Sequence, residues 1–307
     1  MAYAIERDEP ISAALPRIVV ERIDEARRHL LDRKAKPLKR IHDARKRFKE
    51  ARAAVRLIRD PLGDRFAVEN AWFRDAGRKL ATLRDQDAVV EALERVTAAC
   101  EDRAERRAVK SAARRLQQAP ARDRESGPVM RDVAEQLPAA KSRVLSWPPL
   151  GDEFETIGSG LARTYADGQA GFRSALRAPS PETFHEWRKR VKDHWYHTQI
   201  LRQIGEDLMT AYREQMETLS DLLGQRHDLD VVRQVVRDAP SRFGSDNDLR
   251  LLWNAIDRHS DHLTGSALKI GAVAYSEPTE VVAQRFEAWW RTWCEETAPA
   301  GHAVAAG

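Results

Sequence analysis

The chain repeats itself, and that fact limits what it can fold into more than any other. Residues 41–50, IHDARKRFKE, align without a gap on residues 184–193, FHEWRKRVKD, at an offset of 143. At the same offset Arg84-Asp85-Gln86-Asp87-Ala88-Val89 falls on His227-Asp228-Leu229-Asp230-Val231-Val232. Two separate segments that agree on one spacing point to an internal duplication, in which one supersecondary unit occurs twice and each copy must bury the same apolar face. The copies span about 1–120 and about 145–300, joined by QQAPARDRESGP at 117–128, where turn residues and charges replace the apolar period. Together they are expected to form a single domain over 1–300.

Both copies carry helical rather than alternating periodicity. Residues 10–35 form a first helix, with Ile18, Ile23, Ala26 and Leu30 facing inward. Pro37 opens a second from Leu38 to Asp60. A third covers 62–83 and a fourth 85–117, with a break near Cys100–Glu101. The pattern resumes at 129–145 and 152–177. Ser180-Pro181-Glu182 reads as an N-cap followed by proline at the first helical position, which starts a helix to about Ile204. Helices at about 206–224, 228–238, 247–275 and 278–297 complete the chain. No strand pattern competes with them. The expected fold is all-α, two pseudo-symmetric antiparallel four-helix bundles with a basic groove between them.

Composition agrees with a packed helical protein. Hydrophobic residues make up 42% and charged residues 33% of 307, with 15 Gly and 14 Pro, a balance unlike that of a disordered chain. No run of about 18 apolar residues occurs, so no membrane span is expected. The acidic start MAYAIERDEP does not read as a signal peptide, which makes the cytoplasm the expected location. Cys100 and Cys294 lie far apart, without ligand spacing, and are expected to be reduced core thiols.

The net charge of +4 is modest, but its distribution is not. On a helix at 100° per residue, Ile41, Ala44, Phe48, Ala51, Val55 and Ile58 form one apolar stripe. His42, Arg45, Lys49, Arg52, Arg56 and Arg59 form a second, with Lys46 beside it. From Lys39 to Arg59 there are nine Lys or Arg and two Asp or Glu, a local net of +7. A solvated helix face ordinarily mixes signs, because Glu–Lys pairs one turn apart stabilise a helix and like charges destabilise it. A ridge that accepts this repulsion, and that recurs at His185, Arg188, Lys189 and Lys192, points to an anionic ligand. Arginine forks onto phosphate oxygens, lysine adds a mobile charge, and histidine gains charge as the pH falls toward its pKa near ~6.5. A row of such groups one turn apart suits a linear polyanion.

These motifs resemble the CHAD family, the conserved histidine α-helical domain, whose pattern is HxxR(K)xxKxxR on the second helix of each half, followed by an LGxxRDLDV-like segment. His42, Arg45, Lys46, Lys49 and Arg52 match its first occurrence, and His185, Arg188, Lys189 and Lys192 its second. Leu223-Gly224 through Asp228-Leu229-Asp230-Val231 matches the downstream motif closely, and Leu80-Ala81 through Asp85-Gln86-Asp87 matches it loosely. Val281–Trp293, with Trp289, Trp290 and Trp293, is similar to the family's closing helix. Trp195 departs from the pattern where an Arg would stand, Ala81 where Gly is usual, and His227 stands where the first copy has Arg84. The resemblance implies paired four-helix bundles that bind inorganic polyphosphate without catalysis or a cofactor. The ligand-binding residues would be His42, Arg45, Lys46, Lys49, Arg52, Arg56, His185, Arg188, Lys189 and Lys192, and polyphosphate granules are a place where such a protein would gather.

Two other functions stay open on the residues alone. A nucleic-acid binder would also use cationic ridges, but aromatic residues are not interleaved with the basic stripe. A phosphohydrolase acting on polyphosphate would need a Gly-rich phosphate loop or a carboxylate cluster for magnesium, and neither is evident. The D-x-D pairs Asp85/Asp87 and Asp228/Asp230 have the spacing of a divalent-metal site, yet a structural role, capping a helix or orienting a basic neighbour, fits them better. His194 and His197 offer only two ligands, so no metal site is expected there. Arg103, Arg106, Arg107, Lys110 and Arg114 either extend the groove or form a solvated face.

Overall fold

The computed structural model describes residues 3–81, 85–118 and 126–297. Part of the 117–128 connection therefore lies outside the described residues. The α-helices are α1 (Ile11–Leu31), α2 (Pro37–Leu57), the single turn α3 (Arg59–Leu62), α4 (Arg65–Ala81), α5 (Asp85–Ala99) and α6 (Arg103–Gln118). They continue as α7 (Ser126–Leu145), α8 (Glu155–Arg177), α9 (Pro181–Ile200), α10 (Glu206–Asp238), α11 (Asp246–Ala274) and α12 (Thr279–Thr297). Among the described residues there is no strand, and no helix is long and apolar enough to cross a membrane.

Local chemistry sets most of the boundaries. Pro37 takes the first position of α2, where its missing N–H costs nothing. Ser180 closes a capping box with Thr183: the Thr183 N–H donates to Ser180 Oγ at 3.2 Å and the Ser180 N–H donates to Thr183 Oγ1 at 3.0 Å. Ser245 and Asp248 do the same for α11. The break at Cys100 is built from both sides. The Glu105 N–H donates to Asp102 Oδ1 at 2.8 Å, while Arg106 Nε donates to the Cys100 carbonyl at 3.0 Å.

One expected break is absent. α10 runs unbroken through Gly224 and Asp228, where two helices were expected. Leu219, Leu223, Leu229, Val232 and Val236 are all buried along it, and that continuous apolar face outweighs the roughly 1 kcal/mol that glycine costs inside a helix. With no helix starting at Asp228, this residue caps nothing. Cys294 is a second correction: it is exposed, and only Cys100 is buried.

The packing partners repeat with the sequence. α1 lies on α2 and α7, and α8 lies on α9 and α12; α4 packs on α2 as the first part of α10 packs on α9. Across the repeats α2 meets α9, α5 meets α10 and α6 meets α11. Hydrophobic burial follows these contacts rather than the division between copies. One large core joins α1, α2, α4 and α7 to α8, α9, α12, the first part of α10 and the last turns of α11. A second, smaller core joins α5 and α6 to α11 and the last part of α10. Both therefore contain residues of both copies. The joint between the copies is tight: a Cβ at Gly160 of α8 would lie 2.0 Å from the Leu57 carbonyl oxygen at the end of α2. Only glycine allows so close an approach.

Candidate functional site

The apolar stripe of α2 is wholly inside: Ile41, Ala44, Phe48, Ala51, Val55 and Ile58 are at most 1% exposed. One residue further round, His42, Lys46 and Lys49 are exposed and Arg45, Arg52 and Arg56 are half-buried. The ridge ends with α2 at Leu57. Arg59 belongs to α3, where its guanidinium lies 4.8 Å from the centre of the Phe66 ring. On α9, Phe184, Trp187 and Val191 are buried, His185, Arg188 and Lys192 are half-buried, and Lys189 is exposed.

Because α2 packs against α9, the two cationic rows influence each other. The charge of Lys46 lowers the proton affinity of Lys192, and that of Lys49 lowers the proton affinity of His227. Burial is the largest cause of both shifts. His185 Nδ1 and His227 Nδ1 are 3.3 Å apart, with ring centres 4.5 Å apart, so one nitrogen carries a proton and the other accepts it. Burial and the neighbouring Arg188, His185 and Arg226 hold His227 down to about 4, and burial with Lys189 and Arg188 lowers His185. Burial also lowers Arg188, partly offset by Asp228. Lys192 sits 3.9 Å over the Trp195 ring, with Asp221 and Glu217 supporting its charge.

Several cations are held by the protein itself. Arg56 forms an ion pair with Asp193 of α9. Arg52 Nε donates to Asn70 Oδ1 at 3.3 Å, and burial with the nearby Arg56 pulls its pKa down to about 10. Lys189 pairs with Glu186 on its own helix. Glu50, the α2 counterpart of Asp193, accepts from Arg22 at 3.4 Å and Arg47 at 2.7 Å. The spacing of the motif gives no sign that these carboxylates, Glu50 buried and Asp193 half-buried, hold arginines.

The second D-x-D pair orients arginines. Asp228 pairs with Arg95 of α5 at 2.6 Å, while Asp230 holds Arg226 at 2.9 Å and Arg233 at 3.1 Å. Arg226 in turn lies 3.9 Å from the centre of the Phe184 ring, beside His185. Arg226 and His227, on α10, thus lie beside the α9 row, and sequence could have flagged them by their place directly before Asp228. Arg84 and the side chains of Asp85, Gln86 and Asp87 lie outside the described residues. Gly224 faces the Arg188 guanidinium, and a Cβ there would sit 3.7 Å from Nε. That is ordinary contact, so an alanine at 224 would be sterically acceptable.

His194 and His197 are core residues. His197 Nε2 donates to the Ala53 carbonyl at 2.9 Å and His194 Nε2 meets the Tyr212 hydroxyl at 2.8 Å; burial lowers them to about 4 and about 3. No group of three or more metal-ligating side chains occurs among the described residues. Trp290 and Trp293 are buried, while Trp289 is half-buried. On α6, Arg103, Arg107, Lys110 and Arg114 are exposed, and Arg106 is engaged at Cys100.

Comparison with known proteins agrees with this architecture. The family model of the CHAD domain matches residues 17–237, well over half of the chain. No curated protein matches. Among solved structures, the crystal structure of the CHAD domain from the plant Ricinus communis superposes with a TM-score of 0.52, covering 91% of this chain and 96% of that one at 15% identity. At that identity the likeness concerns the fold alone.

Proposed function

The chain belongs to the CHAD domain family, and from that premise we propose that it binds inorganic polyphosphate, without catalysis, along the cationic rows of α2 and α9. The two rows would line a basic groove between pseudo-symmetric four-helix bundles, α1–α2–α4–α7 and α8–α9–α10–α12. The observation that carries this reading is geometric: α2 and α9 pack against each other, and each presents a row of cations one residue round from its buried apolar stripe. Crowding like charges costs free energy in the unliganded protein, and a polyanion laid along them removes that cost.

His42, Arg45, Lys46, Lys49 and Arg52 would contact the chain from the first repeat, and His185, Arg188, Lys189 and Lys192 from the second, with His227 added. Arg56 was expected in this set, but its pairing with Asp193 favours a role in the α2–α9 joint. The cytoplasm, and polyphosphate granules within it, follow from the same reading as the expected location.

Long-chain polyphosphate is expected to bind far more tightly than duplex DNA at matched salt, with affinity falling steeply as salt rises through loss of counterion release. Equal affinity for DNA would overturn the polyphosphate reading in favour of a nucleic-acid binder. Incubation with polyphosphate and magnesium is expected to release no orthophosphate, whereas steady release would make the protein a phosphohydrolase.

A further inference from the structure

A cavity of about 670 Å³ opens at the far end of α9, between the turn that follows it, the first turns of α10, the last turns of α12 and Arg7 of the N-terminal segment. At 1.5 Å per residue α9 ends about 12 Å beyond Lys192, the last cation of its row, and the cavity opens past that end. Its volume falls within the roughly 300–1,000 Å³ usual for small-ligand sites.

The lining combines two chemistries. Arg7, Arg202 and Arg213 bring three guanidinium groups, and no carboxylate lines the cavity among the described residues. Arg202 and Arg213 have no hydrogen bond or ion pair among those residues, whereas nearby Arg285 is paired with Glu277 at 2.5 Å. Trp289, Trp293 and Leu208 supply an apolar wall, and Leu208 is 61% exposed there. Trp289 is held in place, with the Arg285 guanidinium 5.4 Å from its ring centre. Gly205, at φ 57°, makes the turn beside it in a conformation that side chains rarely adopt, and a Cβ there would be in ordinary contact with the indole at 3.6 Å.

We infer that this cavity is a second anion site, separate from the α2–α9 rows, which takes a nucleoside polyphosphate: the arginines bind its phosphates and the indole and leucine wall receives its base. Guanidinium groups fork onto phosphate oxygens, and aromatic side chains accept a base face whatever its sequence identity. An inorganic polyphosphate would match the arginines and leave the apolar wall unused.

The test is ATP binding to the full chain, followed by calorimetry and tryptophan fluorescence, with inorganic triphosphate as comparator. ATP is expected to bind at one site and quench fluorescence, and to bind at least about tenfold more tightly than triphosphate. Arg202→Gln with Arg213→Gln should weaken ATP at least about tenfold by removing two charge-assisted contacts. Trp289→Leu should reduce the preference for ATP over triphosphate, giving a second readout should the arginine variant lose helicity. Arg45→Ala with Lys49→Ala should leave ATP affinity unchanged. Absence of ATP binding, equal affinity for triphosphate, or loss of ATP in the α2 variant alone would each overturn the inference. Failure of long-chain polyphosphate to bind would leave it standing.

Discussion

Glu50 and Asp193 occupy the same position in the two repeats, yet they hold different parts of the molecule. Glu50 draws Arg22 of α1 and Arg47 of its own helix inward, so it ties the first repeat to itself. Asp193 takes Arg56 from α2, so it ties one repeat to the other. Burial raises the pKa of both carboxyls despite their cationic neighbours. The cationic rows differ in the same spirit. In α2 the equivalents of His185 and Lys192 are exposed, while on α9 His185 leans on His227 and Lys192 rests on Trp195. The helices that carry the two rows have matching packing partners, and the second row lies further inside the protein. The comparison teaches that identical motif letters need not contribute equally to binding. The α2 row is the better placed for long-range attraction, and the α9 row for a fixed geometry.

The largest effect should come from breaking the inter-repeat pair. Asp193→Ala leaves Arg56 as an uncompensated cation in the α2–α9 seam and is expected to cost about 3 kcal/mol or more in chemical denaturation. Glu50→Ala should cost about 2 kcal/mol, since Arg22 keeps Glu25 at 3.1 Å. Equal losses would end the distinction between a tie within a repeat and a tie between repeats. The paired change Asp193→Leu with Arg56→Met should recover most of the stability and leave polyphosphate affinity nearly unchanged, because an ion pair exchanged for apolar groups of similar volume is often neutral. Lost binding in that variant would return Arg56 to the ligand-contact set.

Next in size is the contribution of each row. Arg45→Ala with Lys49→Ala should weaken polyphosphate about 100-fold, on the scale of two charge-assisted hydrogen bonds, with helicity retained. Arg188→Ala with Lys192→Ala should weaken it only about tenfold, because Lys192 already engages the Trp195 ring and nearby carboxylates and gains less from the ligand. Affinities that fall equally would show that the depth of the α9 row does not matter.

The stripe and caps of these helices were readable from sequence because each rests on local spacing. Ile41 through Ile58 recur at one helical period, and Ser180-Pro181 carries its capping chemistry within four residues. Such signals need no knowledge of what lies across the core. The continuity of α10 was hidden because Gly224 and the charged run after it resemble a terminus, while the burial that overrides them comes from two different cores. The rows could be read as rows, but their partners could not. Arg56 and Asp193 are 137 positions apart, and no periodicity relates them. Cys294 was misplaced because it lies one residue beyond the buried Trp293 on the last turns of α12, where the apolar pattern no longer tells inside from outside.

A smaller effect should separate the histidines. His185 and His227 are packed against Arg188, Lys189 and Glu186 of α9, Arg226 and Asp230 of α10, and Lys49 of α2. In the free protein both pKa values are lowered, His227 to about 4, so at neutral pH the pair is uncharged. A bound polyanion favours the protonated form, so the complex holds more protons than the free protein, and affinity rises as the pH falls. Folding stability moves the other way. A histidine with a lowered folded pKa stabilises the fold fully above its unfolded value near ~6.5 and loses that contribution as the pH falls toward the folded value. Between pH values of about 8 and 6, binding is therefore expected to tighten several-fold, and His227→Arg, which puts a permanent cation where the first repeat has Arg84, should flatten most of that dependence. An unchanged pH profile would remove His227 from the site.

The smallest effect tests whether the α9 row can be lengthened. Trp195 stands where Arg52 stands in the first repeat, so Trp195→Arg makes the two rows alike in composition. The substitution removes the ring under Lys192, an interaction of about 0.5–1 kcal/mol, and adds one cation. These contributions nearly cancel in affinity, and a gain of only about two- to fivefold is expected from one further exposed charge. The salt dependence is more telling. One added phosphate contact should steepen the slope of log affinity against log salt by about 0.7–0.9, whatever the net affinity. A steeper slope would place position 195 beside the polyanion and make the tryptophan a genuine difference between the repeats. With an unchanged slope, the ligand's path leaves α9 before that turn, and the second row ends at Lys192.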